Sequence, residues 1–578
     1  MRDTVWVSDQ DGAGVGSEVW TCDHLYVLTE QVFVNSPDTL VIEPGTVVLG
    51  QAGTGRSEWD IGVSVGVGVW RQVSYETYPG ALIVARGGYL DAQGTAQCPI
   101  QFSFLGDPMD GSVGLDVQGQ WGGLVVCGGG HLNTMSLEMT FDSAPSSTTG
   151  VGTGEDRAEG VVDVSGQERT VYGGKVDSTG SSGVLKYISL RHGSTNLGWT
   201  QYGNGNETDL LQLSGCGAGT VVSHIECVGS ADDGLHILGG SPQVSHVLSA
   251  FHREDAFESD QGWCGSAQFL LGIQDTALSV ATNPPGPSFV YDAEGDDQED
   301  GFNADFDFVP YSLPVVHNMT LITNGALRSA AFHALSGGDW VNNVAHGVTD
   351  AGVEVQGFFS CDGFNAMDPD QYDALTLRNW RVQGVEGVIP GRYNGLYGQQ
   401  GTLSSWLADS ACVVESVLVD GEFTLENGVL VDGLNPRAIM EGTVSPYYVA
   451  SDPRLEPVTY HGALAPDEDP WFMGWSLLGD LGLYNGPLTE SVVAGCTYAW
   501  ACNYDASADV DDGSCEVTSC AGCTYSESDS YDPNALFDDG SCTWSLPSYC
   551  LGDLNQDWAV STQDLLLFLT AYGEPCEE

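Results

Sequence analysis

A short internal repeat between residues 209 and 262 constrains the fold more than any other feature of this chain. The tetrapeptide Val-Ser-His-Ile at residues 222–225 returns as Val-Ser-His-Val at residues 244–247, an interval of 22 residues. A repeat this short, without a helical period, cannot bury a core alone and must stack on copies of itself. Roughly 20–25 residues make one three-sided coil of a parallel β-helix. The repeat therefore predicts an all-β fold, a parallel β-helix (β-solenoid) whose successive coils lie about 4.8 Å apart.

The same interval brings acidic residues of neighbouring coils onto one edge. The residues concerned are Asp232, Asp233, Glu254, Asp255, Glu258 and Asp260. His236 falls opposite Glu258. Like charges directly opposite each other repel. The repulsion is relieved if the Asp side chains accept hydrogen bonds from backbone N–H groups in the turns, or if the ladder binds Ca²⁺. A third interpretation makes Asp232, Asp233 and Asp255 catalytic acids and bases.

The histidines of the repeat and a later acidic run both have structural interpretations. His224 and His246 alternate with apolar residues, which predicts ladder residues of the stack and not metal ligands. Residues 292–307 hold eight carboxylates in sixteen positions. This run is interpreted as a solvated acidic loop, with a metal site as the alternative.

The overall charge limits the partners of the chain. Its 578 residues include 79 Asp and Glu but only 16 Lys and Arg, for a formal net charge of −63. Such a charge argues against nucleic acid or an anionic membrane surface as a partner. No run of 18 apolar residues is present, so no membrane insertion is expected. The first residues lack the apolar core of a signal peptide, which indicates that a signal was removed or that the sequence is a fragment.

Further β-type runs with Gly-containing turns extend the solenoid in both directions. They are LVIEPGT at residues 40–46, ALIVARG at 81–87, WGGLV at 121–125 and GVLKYISLRHG at 183–193. Residues 51–80 and 128–170 are predicted as insertions between coils. We therefore expect the β-helix to span residues 1–490. The Pro- and Trp-rich segment 446–484 is expected to close its C-terminal end, where a sheet edge would otherwise be exposed.

The order of these runs resembles that of a family of secreted bacterial right-handed parallel β-helix proteins of the cell surface, of the type IX-secreted or lipoprotein kind. DDG at residues 232–234 and YHGAL at 460–464 add to the resemblance. It covers most of residues 24–476. The resemblance implies an extracellular or cell-surface location and carries no established enzymatic role.

Two functions are compatible with this fold and charge. The first is an extracellular structural or adhesive rod, monomeric and calcium-stabilised, that contacts polysaccharide or cell-surface glycans. The second is a pectate-lyase-like or polygalacturonase-like enzyme that uses Asp232, Asp233 and Asp255. Such hydrolases use paired carboxylates as acid and base, and such lyases use Ca²⁺ and a basic residue. The chain matches no signature of either enzyme, and fold analogy alone does not define a function, so the first function is preferred.

The C-terminal part contains a second repeat, over residues 491–545. Gly-Cys-Thr-Tyr and Asp-Asp-Gly-Ser-Cys each occur twice at an offset of 27 residues, first at 495–498 and 511–515. Eight of the sixteen cysteines lie between residues 496 and 576. Crowded cysteines predict small disulfide-bonded modules in an oxidising compartment, and zinc at the lone CxxC of residues 520–523 is the weaker alternative. The repeat resembles the Cys-rich DDGSC repeats of secreted bacterial proteins.

The last segment, residues 546–578, contains an EF-hand-like loop that leads into an apolar helix. The residues at loop positions 1, 3, 5, 9 and 12, where such loops place oxygen ligands, are Asp553, Asn555, Asp557, Ser561 and Asp564. The loop resembles half of a dockerin, and the resemblance implies calcium as a cofactor. Trp558 occupies position 6, where Gly normally allows the turn. A helix-capping loop closed by a Cys550–Cys576 disulfide is therefore the alternative.

Overall fold

The structure, a computed structural model, describes the chain from residue 2 to residue 481 with gaps, and beyond residue 481 only short pieces. The longer gaps are 134–153, 196–207, 276–288, 296–309, 357–374, 403–412 and 423–451. The chain divides into two compact units, Met1–Pro487 and Leu488–Glu578. The described part of the first unit is built from strands and one short helical turn, Leu477–Asp480. Among the described residues, no helix has the length and apolar character needed to cross a membrane.

In the first unit, each coil contributes strands to three faces, in the order A, B, C. The strands of face A alone are Val19–Trp20, Thr39–Ile42, Tyr89–Gln93, Val315–His317, Gly338–Val341, Leu375–Arg378 and Val413–Glu415. The strands of face B alone are Asp3–Val7, His24–Leu28, Val47–Gly50, Ile100–Phe104, Thr320–Asn324, Val344–Val348, Arg381–Gly384 and Leu418–Glu422. Four longer strands bend from face A into face B: Gly183–Arg191, Val221–Val228, Gln243–Ala250 and Ser266–Asp275.

Face C and two antiparallel pairs complete the first unit. The strands of face C are Gln31–Val34, Ala81–Val84, Leu124–Cys127, Leu211–Ser214, Leu235–Leu238, Phe257–Asp260, Tyr291–Ala293, Arg328–Phe332, Ala351–Gln356, Ile389–Gly395 and Gln399–Thr402. The last of these pairs antiparallel with its neighbour, and the others pair in parallel. Outside the three faces, Ser57–Ser64 pairs with Val67–Ser74 and Glu155–Arg157 with Val171–Gly173, both antiparallel. The described strands therefore form the predicted parallel β-helix.

The 22-residue repeat forms two adjoining coils of this stack. Val222 pairs with Val244 on face A, and His236 pairs with Glu258 on face C. Because alternate side chains of a strand point to opposite sides, the apolar residues of one side stack into a continuous core along the solenoid. The register predicted from the repeat is confirmed.

Faces A and B meet at a bend where seven of the described coils have one non-glycine residue with a left-handed backbone. The bend residues with positive φ are Tyr187, His224, His246, Phe269, Asn318, Asn342 and Asn379. Asn tolerates this conformation, whereas other L-residues lose roughly 1–2 kcal/mol in it. The ring centroid of His224 lies 4.3 Å from that of Tyr187 and 4.4 Å from that of His246. Such ring pairs contribute about 0.5–1.5 kcal/mol each, so the stack offsets much of the backbone cost.

The described residues 452–481, hereafter the strap, lie along this bend. The ring centroid of Trp475 is 5.5 Å from Tyr187, and that of Trp471 is 5.4 Å from His246. The sequence predicted that this segment closes the end of the solenoid. The strap instead covers the side of the middle coils, because the rings and apolar side chains on the outside of face B would otherwise be exposed.

Residues 154–174, hereafter the insert, cover the outer side of face C. Apolar insert residues pack on outward side chains of that face, in a cluster that includes Ala158, Val161 and Leu238. The Arg169 guanidinium holds the insert to the chain start, because its Nη1 contacts Asp9 at 2.5 Å. Faces B and C therefore each have a cover from elsewhere in the chain over their apolar outer side chains.

In the second unit, the described pieces recur at the predicted offset. Ala494–Gly495 pairs in parallel with Val510–Asp511, and Ala521–Gly522 pairs in the same way with Phe537–Asp538. Both copies of the 27-residue repeat thus contain the same strand pair. The cysteines of this unit and the five predicted calcium ligands lie outside the described residues. In the first unit the described free thiols are Cys22, Cys98, Cys127, Cys216, Cys227 and Cys264.

Candidate functional site

Three aspartates stack at the turn that leads into face C. Asp209, Asp233 and Asp255 each lie two residues before a strand of that face. Asp233 Oδ1 accepts a hydrogen bond from the backbone N–H of Asp255 at 2.8 Å, and Asp255 Oδ1 accepts one from the backbone N–H of Phe289. Each of these carboxylates holds the backbone of the following coil. Asp209 departs from the pattern, because its Oδ1 has no hydrogen-bond partner among the described residues.

A buried histidine lies at the centre of the acid–histidine cluster, which consists of Glu159, Asp209, Asp233, His236 and Glu258. His236 Nδ1 is 3.2 Å from Asp209 Oδ2. The same nitrogen is 3.8 Å from Glu159 Oε2 and 3.9 Å from Asp233 Oδ2. On the other side of the ring, Nε2 is 3.7 Å from Glu258 Oε2. The side chains of Glu159 and Glu258 are 33% and 21% exposed, so the cluster reaches solvent through them.

Burial and charge shift the pKa values of this cluster. Burial lowers the pKa of His236, but the neighbouring carboxylates, Asp209 first, outweigh burial and raise this pKa to about 10. Burial raises the pKa of Asp209. Burial and the charge of Asp233 raise the pKa of Glu258 well above its usual value. In the absence of a bound ion, the cluster therefore combines an imidazole with a raised pKa and acids that retain protons more readily than free carboxyl groups.

The three aspartates predicted as alternative catalytic residues do not share one environment. Asp233 and Asp255 are 3% and 9% exposed, and each uses an oxygen to bind the next coil. Burial and then the charge of Asp292 raise the pKa of Asp255 well above its usual value. Asp232 is half-buried and lies outside the acid–histidine cluster. The structure thus brings Asp233 alone of the three to His236, and it supports turn hydrogen bonding for Asp233 and Asp255.

A smaller acidic group follows one coil further along face C. Asp292 pairs with Glu258 in the neighbouring strand, and its Oδ1 is 2.9 Å from His333 Nε2. Glu294 completes a group in which one ligand atom from each residue lies within 4.8 Å of the others. The acidic run predicted at 292–307 therefore begins at a second acid–histidine contact. Its residues from 296 onward lie outside the described part of the chain.

Sequence reasoning missed two members of the cluster. Asp209 precedes an apolar strand by two residues, as Asp233 does, and this shared position is the signal that could have revealed it. Glu159 has no such signal, because the insert lies outside the 22-residue repeat. Only the folding of the insert over face C brings Glu159 to His236.

These features define a parallel β-helix with a buried acid–histidine cluster on one face. Residues 15–383 match the family model described as "Pectate-lyase like beta helix domain", and the chain belongs to this family. No curated protein matches the sequence.

One solved structure with similarity to the chain is full-length tailspike protein 2 from Escherichia coli O157:H7 bacteriophage CAB120, at 8% sequence identity and a TM-score of 0.16. The match covers 69% of this chain and 38% of the tailspike. A TM-score this low supports no argument about function.

Proposed function

We propose that the protein is an extracellular, monomeric β-helix that binds polysaccharide along the flank formed by face C and the insert. Membership of the pectate-lyase-like family supports a glycan ligand. The observation that carries the proposal is the partial exposure of Glu159 and Glu258 at the rim of the acid–histidine cluster. Carboxyl groups form strong hydrogen bonds with hydroxyl donors such as those of sugars. Stacked coils repeat at about 4.8 Å, which suits contact with an extended polymer.

The charge of the chain narrows the class of glycan. At a formal net charge of −63, the protein repels polyuronates unless divalent cations bridge the two. We therefore expect neutral polysaccharides to bind more tightly than uronate polymers in the absence of divalent cations.

Affinity electrophoresis of the full chain against a panel of neutral and acidic polysaccharides tests this proposal. We expect retardation by at least one neutral polysaccharide, and at least a tenfold (about 1.4 kcal/mol) loss of affinity in the double variant Glu159→Gln, Glu258→Gln. Glu43→Gln removes an exposed carboxylate far from the cluster and is the matched control. Absence of retardation by every polysaccharide, or equal affinity of the double variant and the wild type, contradicts the proposal.

A polysaccharide-degrading enzyme is the second candidate, because Asp233 and Glu258 have carboxyl oxygens within 4.8 Å of each other. Glycoside hydrolases hold their two carboxyl groups about 5–9.5 Å apart, which is wider than this separation. The cluster also contains no Lys or Arg to act as the base of a lyase. We therefore prefer polysaccharide binding to polysaccharide degradation as the function. Release of reducing ends or of ultraviolet-absorbing unsaturated products, abolished by Asp233→Asn, would reverse this order.

Calcium and disulfides belong to the proposal for the second unit. The loop that contains Asp553, Asp557 and Asp564 has the oxygen-ligand spacing of a Ca²⁺ site. The repeated cysteines suit an oxidising, extracellular compartment. We therefore propose a secreted β-helix protein whose C-terminal modules are stabilised by calcium and disulfide bonds.

A further inference from the structure

The ring of His236 has one nitrogen occupied and one nitrogen without a partner. Its Nδ1 is within hydrogen-bond distance of Asp209 Oδ2, at 3.2 Å. A proton on Nδ1 that is donated to this carboxylate leaves the lone pair on Nε2. Nε2 has no hydrogen-bond partner among the described residues, and Glu258 Oε2, at 3.7 Å, is too far away to supply one. The neutral form of the ring therefore offers a buried lone pair toward Glu258.

Gln212 provides a second, independent observation at the same place. It pairs with His236 in the adjoining coil and is 0% exposed. Its neighbours Leu211 and Leu213 belong to the inner core, so its amide points outward, to the side of His236. Neither its amide oxygen nor its amide nitrogen has a partner within the described residues. A buried unpaired polar group costs about 1–3 kcal/mol, and such groups commonly indicate a bound ion or water.

We propose that Asp233, His236 and Glu258 bind one divalent transition-metal ion of the Zn²⁺ or Mn²⁺ class, with Asp209 as a positioning residue. One ligand atom from each of the three lies within 4.8 Å of the other two. Catalytic zinc sites likewise hold three protein ligands and leave a fourth position open, and both imidazole and carboxylate serve as ligands in them. The partly exposed side chain of Glu258 gives the ion a path from solvent.

The donor set selects against calcium. Ca²⁺ takes six to eight oxygen ligands, whereas imidazole nitrogen favours Zn²⁺ and related ions. Metal-bound histidines generally donate their second ring N–H to a carboxylate, a backbone carbonyl or water, which fixes the ring orientation. Asp209 is such an acceptor for His236, because its Oδ2 lies 3.2 Å from Nδ1 of the ring. The competing arrangement is an imidazolium that balances the surrounding carboxylates without any metal.

Cobalt titration distinguishes the two arrangements. The full chain is stripped with chelator, its accessible thiols are alkylated, and Co²⁺ is added while visible absorption is recorded. We expect a band that saturates at one equivalent, disappears on addition of Zn²⁺ and persists in a hundredfold excess of Ca²⁺, which occupies oxygen-only sites elsewhere in the chain. No glycan is present, so the result does not depend on the proposed function.

Variants assign the band to the cluster. His236→Gln and Glu258→Gln are expected to lose it, and Asp209→Asn to weaken Co²⁺ affinity about 10–100-fold, as for other groups that orient a metal ligand. His24→Gln removes a partly exposed histidine beside Asp23 and is the control, with no expected change. Because Glu258 is partly exposed, Glu258→Gln is expected to fold even if His236→Gln does not, and the assignment of the band then depends on Glu258→Gln. Absence of the band in the wild type, its loss to Ca²⁺, or its persistence in both ligand variants overturns the metal site.

Discussion

Replacement of Glu226 by Gln tests whether one buried carboxylate holds the strap on the solenoid. Glu226 is 0% exposed, and its oxygens accept hydrogen bonds from the backbone N–H groups of Leu477 at 2.8 Å and Leu478 at 2.9 Å. Hydrogen bonds to a charged acceptor contribute about 1.5–3 kcal/mol each. In Glu226→Gln, one side-chain oxygen remains as an acceptor, but the amide NH2 group replaces the other oxygen and faces a backbone N–H of the strap, to which it cannot bond. One of the two strap bonds is therefore lost, and the strap is held less tightly by about 2–3 kcal/mol.

Amide hydrogen exchange of the strap measures this loss. Local opening governs exchange, so a 2–3 kcal/mol change makes the Leu477 and Leu478 amides exchange roughly 30–150-fold faster in Glu226→Gln. Glu43→Gln makes the same chemical change at an exposed position and should leave the strap unchanged. The reasoning is refuted if strap exchange in Glu226→Gln equals that of the wild type, or if both variants accelerate it alike.

Three further perturbations test other parts of the structure. Arg169→Met leaves Asp9 and Asp163 buried without a counter-charge. This variant should lower the free energy of unfolding, measured by urea titration, by about 3–5 kcal/mol. Arg454→Met, which breaks a more exposed ion pair, should cost under about 1 kcal/mol. Burial lowers the pKa of His252 to about 3, whereas a histidine in the unfolded chain has a pKa of about 6.5. Between about pH 3 and pH 6.5 the unfolded chain therefore binds more protons at this residue than the folded chain does. The free energy of unfolding should therefore fall as pH drops below about 6.5, and less steeply in His252→Gln. Removal of calcium with chelator should lower the melting temperature of the second unit, and Asp553→Ala should abolish that calcium dependence.

The stack and its register could be read from the sequence because they arise from local, repeated chemistry. Alternation of apolar and polar residues places one side of each strand inward, and the 22-residue interval aligns His224 with His246 and His236 with Glu258. These pairings hold because parallel strands bind coil to coil, so equal positions in the repeat become neighbours in space.

The positions of the strap and the insert could not be predicted from the repeat. The sequence predicted an end cap where the strap lies along the side, because outward apolar residues such as Leu248 and Leu271 are indistinguishable in sequence from inward ones. Nor does any pattern indicate that the insert brings Glu159 to His236.

The sequence by itself determined a β-helix, its coil length and the line of acids at one turn. The tertiary structure decided which of those acids enclose a histidine and which hold the backbone, and it alone brought Glu159 and the strap into place. The physical reason is the range of the contacts. Repeated neighbours are encoded by spacing along the chain, whereas a segment that folds back over the stack is positioned by burial against a surface that forms only once the coils have assembled.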